Sequence, residues 1–122
     1  MNKEENIKAL KDQGYTVEMR VKYRDLYDNP RSMMDLYLPK LDLAVMFKRQ
    51  SVSGTADQKV PFWVNNLVAF PAKKGLLVLD GAHFHKREGI HHFLNAKVSD
   101  TFNWCFEENF LAYMSQQTPK TP

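Results

Sequence analysis

Asp35 and Lys48 are the two residues whose types and spacing suit joint chemistry. They lie in the stretch DLYLPKLDLAVMFKRQ, residues 35–50. Leu36 and Leu38 alternate with Asp35 and Tyr37, and Pro39-Lys40 breaks the run. Leu41, Leu43, Val45 and Phe47 then alternate with Asp42, Ala44, Met46 and Lys48. This pattern predicts two short strands joined by a tight turn. A two-residue loop at Pro39-Lys40 sets Asp35 opposite Ala44; a slightly longer loop sets it opposite Met46. Side chains two apart on a strand share a face, so Met46 and Lys48 point the same way. The hairpin thus gathers a carboxylate, the position opposite it and an ammonium on one sheet face. Metal-assisted phosphodiester hydrolysis uses such groups: an anion to hold a hard cation, and an ammonium to stabilise charge on the phosphate.

The flanking elements must position that hairpin. Residues 3–13 predict an amphipathic helix with Ile7, Leu10 and Lys11 at i, i+3, i+4, stopped by Gly14. Residues 15–23 alternate as a strand, with Tyr15, Val17, Met19 and Val21 on one face. Residues 27–32, YDNPRS, are turn chemistry. Residues 51–59 are polar and carry a capping-box pattern at Thr55 and Gln58. Val60, Trp63, Val64, Leu67 and Val68 then repeat at helical spacing. Pro61 requires that this helix either start near Val60 or kink at the proline. Leu76-Leu77-Val78-Leu79 reads as a strand covered on both faces. A short helix at 90–96, a strand at 101–106 and a helix at 108–115 follow. The order is helix, three strands, helix, strand, then a helix–strand–helix extension. The first three strands suit a meander, and the fourth can return parallel after its crossover helix. The fold class is therefore α/β with a mixed central sheet, one domain over residues 1–116 and a loose tail at 117–122.

At 122 residues, with 43% hydrophobic residues, the chain can build one core. The net charge of +3 leans toward polyanionic partners. Cys105 is the single cysteine, which rules out an internal disulfide and argues against a structural zinc site. It reads as a buried thiol. The absence of an apolar leader at MNKEENIKALK, and of any run of about 18 apolar residues, predicts a cytoplasmic protein without a membrane span. His83, His85, His91 and His92 cluster, but without carboxylates at ligand spacing they read as loop histidines. Phe62, Trp63, Phe70, Trp104 and Phe106 read as mostly core.

In element order the chain resembles the restriction-endonuclease-like fold of the PD-(D/E)XK nuclease superfamily, whose core runs α-β-β-β-α-β. Residues 3–80, about two thirds of the chain, follow that core. Asp35 stands where the family's second strand carries a metal-binding aspartate. The family's third-strand triplet, acid-x-lysine, here reads Met46-Phe47-Lys48. Arg49-Gln50 and residues 53–59 resemble the glycine-containing loop and polar helix start of such enzymes, and 76–81 the fourth strand.

The resemblance implies a DNA endonuclease with a divalent ion, magnesium (Mg) with manganese (Mn) as substitute. Asp35 and the Phe47 carbonyl would hold the ion, and Lys48 and Gln50 would complete the catalytic set. Arg20, Lys22, Arg31, Arg49 and Lys59 would face DNA. Met46 departs from the pattern, because a thioether is a poor magnesium ligand. Losing one of two carboxylates should slow catalysis roughly hundredfold or more. Asp42 cannot substitute, lying about 13 Å along the strand from Met46. Glu18, or Glu4 or Glu5 on the first helix, are the candidate replacements. The alternative is a catalytically inactive nuclease fold that binds DNA or a partner nuclease. Small size and strand symmetry favour a homodimer.

Overall fold

The computed structural model describes residues 2–50 and 56–117. The Thr55–Gln58 capping box begins outside those residues, as does the expected tail from 118 onward. The elements are α1 (Lys3–Asp12), β1 (Glu18–Tyr23), β2 (Ser32–Leu38), β3 (Leu43–Arg49), α2 (Ala56–Ala69) and β4 (Lys74–Asp80). Then come α3 (Ala82–His85), α4 (Glu88–Lys97), β5 (Phe102–Phe106), a 3-10 turn (Glu107–Asn109) and α5 (Phe110–Ser115). One sheet runs β1-β2-β3-β4-β5. β1, β2 and β3 form the antiparallel meander, and β4 joins β3 in parallel across α2. β5 repeats the parallel step beyond β4. The expected α-β-β-β-α-β core and mixed sheet are present.

Strict alternation on the central strands sorts the core into two layers. Ala44, Met46, Leu77 and Leu79 pack with Val60, Val64 and Leu67 of α2 and with Ile90 and Leu94 of α4. Leu43, Val45, Leu76 and Val78 face the other way, toward Leu10 of α1 and Phe110 and Met114 of α5. β4 is therefore buried on both faces, as its continuous apolar run predicts. The Tyr15 hydroxyl ties the second layer together by donating to the Met114 carbonyl at 2.7 Å.

Several expectations are corrected. The first strand starts at Glu18, and its apolar face is not continuous. Tyr15 and Val17 pack in the second layer, whereas Val21 and Tyr23 pack in the first. The switch falls at Arg20, whose φ of 55° is a left-handed conformation that reverses side-chain parity. β2 switches at the same level: Met34 joins the first layer, Leu36 and Leu38 the second. α2 starts at Ala56 rather than near Val60 and runs through Pro61, which forfeits the i→i−4 bond to the Asp57 carbonyl. Burial of Val60, Val64 and Leu67 against the sheet outweighs that loss. The region after β4, read as loop, forms α3.

Gly81 shows why β4 must end as it does. Its φ is 109°, and an added Cβ would fall 2.2 Å from the Gln50 carbonyl oxygen. That close approach lets Gln50 donate its N–H to Asp80 O at 2.9 Å and accept from His83 N–H at 3.3 Å. Gly81→Ala should therefore destabilise the fold by about 2 kcal/mol or more, read as a lowered urea midpoint at unchanged slope.

Candidate nucleic-acid interface

Leu38 pairs with Leu43, so the hairpin loop is residues 39–42, the longer of the two alternatives. Among the described residues the β2–β3 pairing runs on through Tyr37↔Ala44 to Leu36↔Val45. One step further, the count sets Asp35 opposite Met46. There the strands fork. The Phe47 N–H donates to the Asp35 carboxylate at 2.8 Å. A side chain thus does the work of the next backbone carbonyl. The left-handed Arg20 stands across the other edge of the same level, between Met19↔Leu36 and Val21↔Met34. Asp35 therefore occupies the local break in the sheet on both sides.

Two cavities flank the fork. One, about 240 Å³, is lined by Asp35, Met46, Lys48, Phe62, Trp63 and Asn66 among others. The second, about 250 Å³, is lined by Lys3, Glu4, Lys48, Arg49, Asp80 and Glu107 among others. Phe47 and Lys48 line both. The ends of three parallel strands build the second cavity: Arg49 pairs with Asp80, and the β4–β5 register carries Glu107 alongside.

Ammonium groups crowd this region. Lys3 of α1 reaches Asp35 Oδ1 at 3.3 Å. Lys48 lies 5.2 Å above the Trp63 ring, a cation–π contact. Burial depresses the Lys48 pKa; Asp35 pulls it upward, while the nearby Lys59 and Lys3 push it down again. The hairpin does what the sequence reading asks of it, bringing Asp35 and Lys48 into one cleft.

The remaining candidates are spread more widely. Arg49 lies 3.7 Å from Asp80. Gln50 fastens the end of β3 through its backbone. Lys59 is exposed on the first turns of α2, and Arg20, Lys22 and Arg31 are exposed along β1 and the β1–β2 connection. Glu5 caps α1 by accepting the Asn2 N–H at 3.1 Å. Glu18 is exposed opposite Tyr37, nearer the closed end of the β2–β3 hairpin than Asp35. Asp42 accepts the Tyr37 hydroxyl at 2.7 Å, well away from the fork.

The histidines are not loop residues. His83 is buried on α3 with its ring 2.7 Å from Asp57, which also pairs with Arg87. His85 stacks on Phe106 and His91 on Trp104. Burial, and then the charge of Glu107, push the Cys105 thiol up to about 12, leaving it inert at neutral pH.

Sequence reasoning missed Lys3, Trp63, Asp80 and Glu107. Only the last two carried a usable signal. Each follows the final apolar residue of a strand, and parallel neighbours end on the same side of the sheet, where open α/β folds bind ligands.

A profile of the PD-(D/E)XK nuclease superfamily domain matches residues 3–116, and the chain belongs to that superfamily. No curated protein and no solved structure matches the chain. Membership makes this a nuclease-fold protein, in a superfamily whose general class of partner is nucleic acid. Nucleases of the superfamily generally use divalent metals. The donor set at this fork does not suit a hard cation. One Asp35 oxygen accepts an N–H and the other meets an ammonium. The facing position is a thioether, 6% exposed and packed among hydrocarbon. Among the described residues no three His, Cys, Asp or Glu side chains converge as a metal cage. No helix among them is long and apolar enough to cross a membrane.

Holding Lys48 charged while half-buried works against folding. With its pKa depressed, the unfolded chain binds more protons in the window below the ordinary lysine value, so stability rises with pH there. Lys48→Met keeps the packing on Trp63 and removes that charge. Its melting temperature should rise by on the order of 3 °C at pH 7, measured by circular dichroism, while nucleic-acid affinity falls.

Proposed function

We propose that this chain is a nuclease-fold protein that binds DNA without cutting it, as a binding or regulatory subunit. The observation that carries this reading is the Lys3–Asp35 ion pair at the fork, beside the buried Met46. A protein ammonium neutralises the one carboxylate that a divalent ion would need. Lys48 and Lys59 then present fixed positive charge to a phosphate, with no ion to recruit. Such contacts position a nucleic-acid backbone and carry no sequence preference of their own.

The competing reading is a magnesium-dependent endonuclease with a displaced acid. The shared cleft of Asp35 and Lys48 favours it. The donor chemistry around Asp35 weighs against it, as does the use of Glu5 as a helix cap.

Fluorescence anisotropy with labelled DNA tests the proposal. Binding should need no divalent ion and persist in EDTA. It should weaken with salt with a log–log slope of about −2, roughly −0.9 for each of two phosphates neutralised. Lys59→Ala should lower affinity and reduce the magnitude of that slope by about 1. DNA cleavage in magnesium or manganese that Asp35→Ala abolishes would overturn the proposal, as would no binding at low salt.

A further inference from the structure

Tyr27, in the β1–β2 connection, is 78% exposed, yet its ring is not loose. It stacks on Phe62 of α2 with centroids 4.8 Å apart and planes 19° from parallel. One face is therefore covered and the other is open to water.

The backbone beneath the ring is also fixed. The Asp25 carboxylate accepts the N–H groups of Tyr27 at 2.8 Å and Asn29 at 3.0 Å, and the Ser32 hydroxyl at 2.6 Å. Leu26 N–H donates to the side-chain oxygen of Asn66 at 3.0 Å, and Asn66 is buried on α2. An aromatic ring immobilised before any partner arrives loses little entropy on binding one. Asp28 is paired with Arg24 at 2.9 Å.

The surroundings identify the occupant. Phe62 lines the same cleft as Lys48, and Lys59 and Lys3 act electrostatically on that lysine. Arg24 and Arg31 lie in the same connection as Tyr27. A flat apolar face in a region where Lys3, Lys48, Lys59, Arg24 and Arg31 outnumber Asp25, Asp28 and Asp35 matches one chemical unit, a base with its phosphate. In a duplex, each base face is already covered by its neighbours, so only an unpaired base can lie on the ring.

We propose that the Tyr27–Phe62 stack is a platform for one unpaired nucleobase, so that the preferred ligand is single-stranded or frayed nucleic acid. This rests on the nucleic-acid reading above and narrows it.

The test compares a short labelled single strand, carrying 2-aminopurine, with the duplex of the same sequence. Wild type should bind the single strand more tightly and quench the 2-aminopurine. Tyr27→Ala, a surface change that should leave the circular dichroism spectrum intact, should weaken single-strand binding about five- to hundredfold. It should leave duplex affinity and the salt slope unchanged. Tyr27→Phe keeps the π-face and should retain binding and quenching. Unchanged single-strand affinity in Tyr27→Ala overturns the platform but leaves the DNA-binding reading standing. Equal losses in Tyr27→Phe and Tyr27→Ala overturn it too. A changed sedimentation coefficient in Tyr27→Ala with unaltered DNA affinity would assign the ring to a protein contact, and binding of neither DNA would remove both readings.

Discussion

The structure depends on how the sheet opens between β2 and β3. A β-ladder cannot simply stop in the middle of a domain, because its next N–H would be stranded. The Asp35 carboxylate resolves this by taking the Phe47 N–H, so the strands diverge at no cost in unsatisfied polar groups. The same carboxylate draws Lys3 down from α1 and opposes the effect of burial on Lys48. One side chain thus couples the fork, the first helix and the cleft that holds Lys48.

In the proposed reading, this coupling takes the place of the metal donor set that nucleases of the superfamily generally use. In the superfamily pattern an acid faces the fork from the third strand. Here Met46 extends the hydrocarbon layer under α2, where it packs with Val60 and Val64. A thioether at that depth carries no charge to desolvate and gains apolar burial. Lys48 remains the strained member of the site. Desolvation and two neighbouring ammoniums oppose its charge, and local strain of this kind is expected where a protein keeps a binding function.

Much of the architecture was legible because the apolar periodicity is strong. Leu76–Leu79 announced a strand covered on both sides, and the alternation around Pro39-Lys40 announced the hairpin that joins Asp35 to Lys48. The failures share one physical origin, which is side-chain placement across elements distant in sequence. Nothing in residues 15–23 shows that Arg20 adopts a left-handed conformation and turns the strand over. The Lys3–Asp35 contact spans thirty-two positions and depends on how α1 crosses the sheet. Tyr27 looked like turn chemistry, and only its stacking on Phe62 gives it a fixed orientation. The histidines were misjudged because their partners, Asp57, Phe106 and Trp104, come from other elements.

Titration calorimetry of the wild-type chain with magnesium, and then manganese, tests the central claim most directly. If Lys3 neutralises Asp35 in place of a divalent ion, both titrations should give only heats of dilution at roughly millimolar ion. A saturable isotherm in that range, absent from Asp35→Asn, would contradict the account.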